Sequence, residues 1–167
     1  MKNLILQDKT RYGKEKMPFF QFWFRKSSER SVMGIFSKVI FKCLQAFRCN
    51  EIPSTTKIGG GLYLGHAYAI TINKKVIIGR NCNIHKGVTI GQENRGERKG
   101  TPIIGDKVWI GVNATIVGNI SIGNDVLIAP NTYVNCNIPS HSIVFGNPCI
   151  IKHSENATYG YINRIVE

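Results

Sequence analysis

An apolar residue recurs every six positions through most of the second half of this 167-residue chain. Two runs carry this period: Ile72, Ile78, Ile84 and Ile90, then Ile104, Ile110, Ile116, Ile122, Ile128 and Val134. A column of mostly small or β-branched residues lies two positions before each, and glycines often follow. A helix needs a period near 3.6 and an ordinary strand a period of 2. A period of six with a turn residue in each unit predicts a parallel β-helix of hexapeptide repeats.

Three hexapeptides are expected to form one triangular coil, so the chain from Ile58 to Pro139 offers about four coils. Neighbouring coils pair through backbone hydrogen bonds, and no coil is stable alone. Corners are expected at residues that tolerate left-handed backbone angles: Asn81, Asn83, Asn113, Asn124 and Asp125. The alternative, a β-sandwich, would need period-two alternation with turns roughly every 8–12 residues.

The first 50 residues differ in kind from the repeats. They carry eleven Lys and Arg against three Asp and Glu, a net charge of +8, whereas residues 51–167 carry eleven against seven, a net charge of +4. An aromatic cluster at residues 19–24 precedes two basic residues, and Ser28 is expected to begin a helix that ends near Phe47. The sequence therefore predicts a mostly β fold with an N-terminal helical segment.

The apolar residues of this helix recur at the spacing of an amphipathic helix. They are Val32, Ile35, Phe36, Val39, Ile40, Cys43, Leu44 and Phe47. We expect the helix to cover the open end of the β-helix, as a solenoid requires. The basic, aromatic surface of residues 1–50 is also suited to peripheral contact with anionic lipid. Nucleic-acid binding is not predicted, because no recognised motif accompanies the charge.

Other features indicate a cytoplasmic protein. The chain has no run of 18 apolar residues and no secretory signal pattern at its N-terminus. The five cysteines have no metal-like spacing, which favours a reducing compartment over a disulfide framework. Cys82 falls in the inward column and is expected to be a small core residue.

The six-residue rhythm breaks twice, and insertions in a solenoid often form functional loops. One break is a step of eight residues that contains Gly65-His66-Ala67-Tyr68. The other is a step of fourteen between Ile90 and Ile104, which forms a protruding polar loop at residues 92–103. We therefore expect functional side chains at these two corners.

Several segments resemble the left-handed β-helix acyltransferases: residues 51–66, the protruding loop, residues 108–118, and Gly146-Asn147-Pro148. The most similar branch is serine O-acetyltransferase and its short relatives in surface-polysaccharide gene clusters. The resemblance covers residues 51–152, which we take as the acetyltransferase domain. Residues 1–50 would be a capping segment and residues 153–167 a tail.

The resemblance implies a homotrimer that uses acetyl-CoA and no metal, with active sites between subunits. His66 matches the catalytic histidine, which would act as general base on an acceptor hydroxyl; its pKa near neutrality suits that role. Glu51 matches the carboxylate that orients this histidine, although the family usually has Asp there. The plainer alternative for His66 is a surface histidine at a corner.

The resemblance also implies residues that bind the two substrates. Those that would contact acetyl-CoA are Gly111, Val112, Ala129, Pro130 and Lys152, the last at the nucleotide phosphates. Those that would line the acceptor site are Gly65, Tyr68, His85, Arg98, Lys99 and Thr101. For Arg98 and Lys99 the alternative is a solvated loop, and His85 is a second candidate for the base.

Two departures from the family bear on the acceptor. Serine acetyltransferases carry Asp where this chain has Gly65, and an Arg-His pair where it has Gly100-Thr101. Those residues recognise the ammonium and carboxylate of the amino acid, and a lost charge-assisted hydrogen bond costs roughly 1.5–3 kcal/mol. A sugar hydroxyl in cell-surface polysaccharide synthesis is therefore expected, with serine as the alternative.

Two further classes remain open at this level. A metal-dependent hydrolase of the γ-carbonic anhydrase type would need three histidines on adjacent coils, and the coils contain only His66 and His85. A noncatalytic hexapeptide-repeat scaffold is the other class, and it would not bind acetyl-CoA.

Overall fold

Three helices precede a long parallel β-helix in the computed structural model, which describes residues 2–29 and 32–167. The helices are α1 (Lys2–Tyr12), α2 (Phe19–Ser27) and α3 (Val32–Arg48). The sequence predicted one helix from Ser28, and this boundary is wrong. Ser28 follows the end of α2, and its hydroxyl donates to the carbonyl oxygen of Ser54 at 2.7 Å.

Fourteen short strands form the three sheets that make the sides of the β-helix. Sheet 1 contains β1 (Lys57–Ile58), β4 (Ile77–Ile78), β7 (Ile103–Ile104) and β10 (Ser121–Ile122). Sheet 2 contains β2 (Tyr63–Gly65), β5 (Asn83–His85), β8 (Val108–Ile110), β11 (Val126–Ile128), β13 (Ser142–Phe145) and β14 (Ile150–His153). Sheet 3 contains β3 (Thr71–Ile72), β6 (Thr89–Gly91), β9 (Thr115–Val117) and β12 (Tyr133–Val134).

The predicted fold class is confirmed, with one difference in length. Sheet 2 has five parallel strands, which correspond to about five turns rather than four. The extra strand, β13, lies beyond Pro139, where the six-residue rhythm ends. It joins the stack by pairing with β11, and β14 then folds back antiparallel on β13. The inward residue of β13, Val144, is aliphatic and buried but follows its partner Ile128 by 16 positions rather than 18, so the six-residue period does not reach it.

The aliphatic columns form a continuous core along the axis. The inward isoleucines of both runs are buried, and Cys82 is buried among them as predicted. Left-handed backbone angles occur at three of the predicted corner residues, Asn81, Asn113 and Asp125. The prediction for Asn83 is wrong: it lies in β5, with its side chain buried.

The first turn of the β-helix is closed by polar side chains from α1 and α2. Main-chain groups of residues 58–64 would have no strand partner on that side, and buried backbone groups need one. Five side chains supply it: Asp8, Arg11, Tyr12, Gln21 and Arg25. The N-terminal helices thus complete the hydrogen bonding of the first coil.

Arg25 and Asp8 are the centre of this arrangement. The Arg25 guanidinium donates to the carbonyl oxygens of Ile58 at 2.7 Å and Gly59 at 2.6 Å. It also pairs with the Asp8 carboxylate at 2.8 Å, and both side chains are almost fully buried. Asp8 in turn accepts a hydrogen bond from the backbone N–H of Leu62 at 3.0 Å.

Most of the apolar row predicted on α3 faces away from the β-helix, and of its members Leu44 is partly buried against the core. Phe41, which is outside the row, also packs inward, with its ring 5.1 Å from that of Phe20 and 5.7 Å from that of Phe24. Ile35, Phe36, Val39, Ile40 and Phe47 of the row are instead exposed. The side chain of Val32 lies outside the described residues. An amphipathic pattern identifies a face but does not say what covers it.

Arg25→Met tests the closure of the first turn. It leaves a buried carboxylate without its partner, and such changes cost about 3–5 kcal/mol. The control is Lys26→Met, which removes only the partly exposed pair between Lys26 and Glu29 and should cost less than about 1 kcal/mol. Denaturant unfolding measures both. A similar loss of stability for the two variants would contradict the role given to Arg25.

Candidate active site

His66 stands at the corner between sheets 2 and 3 where the sequence inserts residues. It directly follows β2, its side chain is exposed, and its backbone is left-handed with φ of 55°. Ala69 in the same corner has φ of 53°. Such angles are uncommon for residues other than glycine, cost about 1–3 kcal/mol and often occur at functional sites.

The end of α3 holds this corner in place. Asn50 is buried, its side-chain oxygen accepts from the N–H of Ile70 at 2.9 Å, and its amide donates to the carbonyl oxygen of Ala67 at 3.3 Å. Arg48 donates to the same Ala67 oxygen at 3.3 Å. The sequence analysis missed both residues. The available signal was a polar residue, Asn50, at the junction between the helix and the first coil.

Glu51 lies near this corner through its backbone. Its N–H donates to the carbonyl oxygen of Ile70, and its own carbonyl oxygen accepts from Ile72, both at 2.8 Å. Its side chain is exposed, and within the described chain no hydrogen bond joins its carboxylate to His66. The pairing of Glu51 with His66 therefore stays a prediction.

His85 faces outward, as predicted, and packs directly against Gly65 on the neighbouring strand. A Cβ at position 65 would overlap the His85 ring, so the imidazole fills the space that a side chain there would need. The His85 Nδ1 lies 3.0 Å from the carbonyl oxygen of Ile110, and its ring is 4.6 Å from that of Trp109.

The contacts of His85 determine its chemical state. Burial lowers its pKa, the Ile110 hydrogen bond partly offsets this, and the nearby His66 lowers the pKa further. The ring is therefore neutral near pH 7. Because a carbonyl oxygen only accepts, Nδ1 carries the proton and Nε2 has a free lone pair. His85 thus presents a hydrogen-bond acceptor beside the His66 corner.

The residues predicted to contact acetyl-CoA continue along the same corner. Gly111-Val112 follow β8 and Ala129-Pro130 follow β11, in register with Gly65-His66 after β2. Val112 is half-buried and Pro130 is exposed, whereas Gly111 is buried and its N–H donates to the carbonyl oxygen of Ile128 at 2.8 Å. Lys152 lies on β14 with its ammonium 5.6 Å from the Phe145 ring centre. A row of corner residues with exposed outer members and an exposed cation at one end fits a thioester whose carrier bears phosphates.

The protruding loop leaves the β-helix at a different corner, between sheets 3 and 1. The two ends of the loop pair through Glu93 and Gly100. The N–H of Asn119 in the next coil donates a hydrogen bond to the Arg98 carbonyl oxygen at 2.8 Å. Arg98 and Lys99 have exposed side chains. A single chain therefore does not bring these residues to His66.

Tyr68 and Thr101 lie at these two different corners. Tyr68 is exposed beside His66, with its hydroxyl 3.7 Å from the Cys49 sulfur. The Thr101 hydroxyl donates to the carbonyl oxygen of Lys75 at 3.4 Å, at the base of the protruding loop. Residues 2–29 and 32–167 contain no cluster of three or more His, Cys, Asp or Glu side chains able to hold a metal ion. No helix among them is long and apolar enough to span a membrane.

Asn50→Leu tests the support of the His66 corner. The variant leaves the buried N–H of Ile70 without a partner, which costs about 1–3 kcal/mol. Arg48→Met is the matched control, because it removes the other donor to the Ala67 oxygen and leaves the Ile70 contact in place. We expect a larger loss of unfolding free energy for Asn50→Leu than for Arg48→Met. Equal losses would mean that the Ile70 contact does not hold the corner.

The sequence of this chain is similar to those of hexapeptide-repeat transferases. A family model described as bacterial transferase hexapeptide (six repeats) matches residues 101–136. A serine acetyltransferase of Staphylococcus aureus is 34% identical over 124 residues, which cover 74% of this chain and 58% of that protein. Serine acetyltransferase 2 of Arabidopsis thaliana is 37% identical over 98 residues, which cover 59% of this chain and 30% of that protein. The chain thus spans only part of the length of these relatives.

A solved structure extends the similarity to the fold. The crystal structure of Neisseria gonorrhoeae serine acetyltransferase in complex with serine superimposes with a TM-score of 0.72 at 25% sequence identity. The superposition covers 89% of this chain and 67% of that one. With its repeats, its solenoid and these relatives, the chain is a hexapeptide-repeat protein that is similar to the serine acetyltransferases.

Proposed function

We propose that this protein transfers an acetyl group from acetyl-CoA to an acceptor hydroxyl. The observation that carries the proposal is His66, an exposed imidazole with a left-handed backbone at the head of the corner row that continues through Val112 and Pro130. Gly111, Val112, Ala129, Pro130 and Lys152 would hold acetyl-CoA along this row, so that its thioester supplies the acetyl group.

His66 acts as general base in this proposal. Its neutral imidazole takes the proton of the acceptor hydroxyl as the oxygen attacks the thioester carbonyl. The carbon–sulfur bond breaks, and the imidazolium returns the proton to the leaving thiolate. Glu51 orients the ring and stabilises its charged form. The acetyl group passes directly to the acceptor, so no covalent acyl-enzyme and no metal are needed.

The active protein is a homotrimer in this proposal. The protruding loop and His66 occupy different corners of one chain, so Arg98, Lys99 and Thr101 meet a catalytic histidine only if a second copy packs alongside. The cleft between copies would then contain His66 from one chain and the loop from another.

A sugar is the acceptor we favour, in cell-surface polysaccharide synthesis. The His85 ring fills the space at Gly65, so this position has no carboxylate for the ammonium of an amino acid. His85 is itself neutral, which leaves the ammonium without the charge-assisted bond that such a carboxylate provides. The free Nε2 of His85 can accept a hydrogen bond from a sugar hydroxyl instead.

Serine O-acetylation is the second candidate, and the names of the relatives favour it. The similarity in sequence and fold extends over most of this chain, and serine also offers a hydroxyl to His66. A noncatalytic scaffold is the third, and it predicts that acetyl-CoA does not bind.

His66→Ala decides among these functions. We expect CoA release from acetyl-CoA in the presence of free or nucleotide-linked sugars, and a loss of about 10²–10⁴-fold in rate for the variant. His153→Ala is the control, because His153 is exposed and pairs only with Glu155. Serine-dependent release that needs His66 would make serine the acceptor. Unchanged release in the variant would remove His66 from the mechanism.

Peripheral contact with the inner face of the membrane, from the cytoplasm, remains a separate proposal for residues 1–50. The aromatic cluster at residues 19–24 is poorly suited to it, because Phe20 and Phe24 are buried and Trp23 packs against the core. The suitable surface is the outer face of α3, where Phe36 is 65% and Phe47 82% exposed. No acidic residue occurs in α3, which suits an anionic surface.

Replacing Phe36 and Phe47 with Ser tests this surface. Wild-type protein should sediment with phosphatidylserine-containing vesicles, more weakly with neutral ones, and the double variant should remain in solution. Leu6→Ser is the control, because Leu6 is 63% exposed on α1. The contradicting result is that neither the wild type nor the variants bind vesicles and that the double variant dissociates the oligomer. The outer face of α3 would then be an interface between copies, and the membrane proposal would be wrong.

A further inference from the structure

A polar cavity of about 280 Å3 opens on the outer face of sheet 2, next to the catalytic corner. Its floor is formed by Tyr63, Asn83, His85 and Trp109, from the strands β2, β5 and β8. Its walls come from α1 and from residues 161–164 of the tail, which folds back along the sheet. The volume lies just below the range for small-molecule sites, about 300–1,000 Å3.

The cavity contains more positive than negative charge. Arg11 is 3% exposed, and its guanidinium donates to the carbonyl oxygens of Gly61 and Asn163 and to the side-chain oxygen of Asn83, all neutral groups, at 2.7–2.8 Å. Burial lowers the pKa of Arg11, the charge of Arg164 acts in the same direction, and the carboxylate of Asp8 partly offsets both. Buried charges are normally paired with an opposite charge.

The nearby carboxylates do not pair with Arg11. Asp8 is the buried carboxylate of this region, and it forms its ion pair with Arg25. Glu15 lines the cavity but is contacted by the Tyr63 hydroxyl, at 3.5 Å. Arg164 has one hydrogen bond, a long one of 3.5 Å to the carbonyl oxygen of Arg11. In residues 2–29 and 32–167 no ion pair joins Arg11 or Arg164 to a carboxylate.

The imidazole of His85 lies between the cavity and the His66 corner. One side of that ring forms part of the cavity floor, and the other packs against Gly65, the residue before His66. Trp109 and Tyr161, whose ring centres are 5.0 Å apart, give the cavity an aromatic surface. A molecule in the cavity would reach His66 by passing the His85 ring.

We infer that this cavity binds an anionic group of the acceptor, a carboxylate or a phosphate, between Arg164 and Arg11. The inference rests on the proposed acetyl transfer, since it assigns the cavity to the acceptor of that reaction. Arg164 supplies the donors, because the Arg11 donors are already engaged and Arg11 contributes its charge. The aromatic wall packs against the body of the acceptor, and the hydroxyl to be acetylated lies on the His66 side of His85.

Arg164→Gln tests the anion site without disturbing the buried Arg11. Arg80→Gln is the matched control, because Arg80 donates to a tail carbonyl, that of Val166, at 3.4 Å but does not line the cavity. Calorimetric titration with inorganic phosphate measures binding without catalysis. We expect phosphate affinity to fall about tenfold to a hundredfold for Arg164→Gln and less than about twofold for Arg80→Gln.

Lys152→Gln separates this site from the one proposed for acetyl-CoA. Phosphate bound in the cavity keeps its affinity in this variant, whereas phosphate bound at the nucleotide site loses it. Phosphate binding that is absent in the wild type, or that depends on Lys152 and not on Arg164, would overturn the inference.

Acetylation assays then identify the source of the anion. We compare glucuronate, glucose 1-phosphate, serine and uncharged glucose as acceptors, with and without Arg164→Gln. The variant should raise KM about tenfold or more for the charged acceptor that is used and leave glucose unchanged. Transfer that is insensitive to Arg164 would refute the anion site but not the proposed function. Arg164-dependent phosphate binding without transfer to any acceptor would refute the proposed function but not the anion site.

Discussion

The open edge of the first coil is the constraint on which the rest of this structure depends. A parallel β-helix satisfies its backbone by stacking one turn on the next, so its first turn has a row of main-chain groups without a neighbour. In this chain, side chains replace the missing turn. Arg25 and Asp8 form the buried centre of that replacement, and neither can be buried favourably without the other.

The N-terminal segment that closes the first coil also contributes to the candidate site. The segment after α3 carries Asn50, which holds the inserted corner at His66, and α1 carries Arg11, whose charge enters the cavity on sheet 2. Residues that stabilise the first coil therefore also set the position of His66 and the electrostatics of the cavity proposed for the acceptor. The short N-terminal segment is part of the site as well as of the scaffold.

The sequence predicted those parts of the structure that depend on periodic interactions. The column of isoleucines is repetitive, so the fold and the outward position of His85 were predictable. The direction of the apolar row on α3 was not, because its spacing is the same whether Phe36 faces the protein or its surroundings. The closure of the first coil by α1 and α2 and the support by Asn50 depend on single contacts between residues distant in sequence, so they were not predicted. The inserted corner indicated His66 but not the residues that hold it.

The pair Gly65 and His85 shows how a distant residue can define a site that local sequence describes only in part. The glycine alone indicates that a carboxylate is missing from the acceptor region. The structure adds that a neutral imidazole occupies the space and that two arginines without carboxylate partners lie behind it. An ammonium group would enter a region of positive charge with no carboxylate at position 65, whereas an anionic group would be attracted by it. An amino acid carries both charges and gains from only one of them, so this arrangement favours an acceptor whose recognised group is anionic.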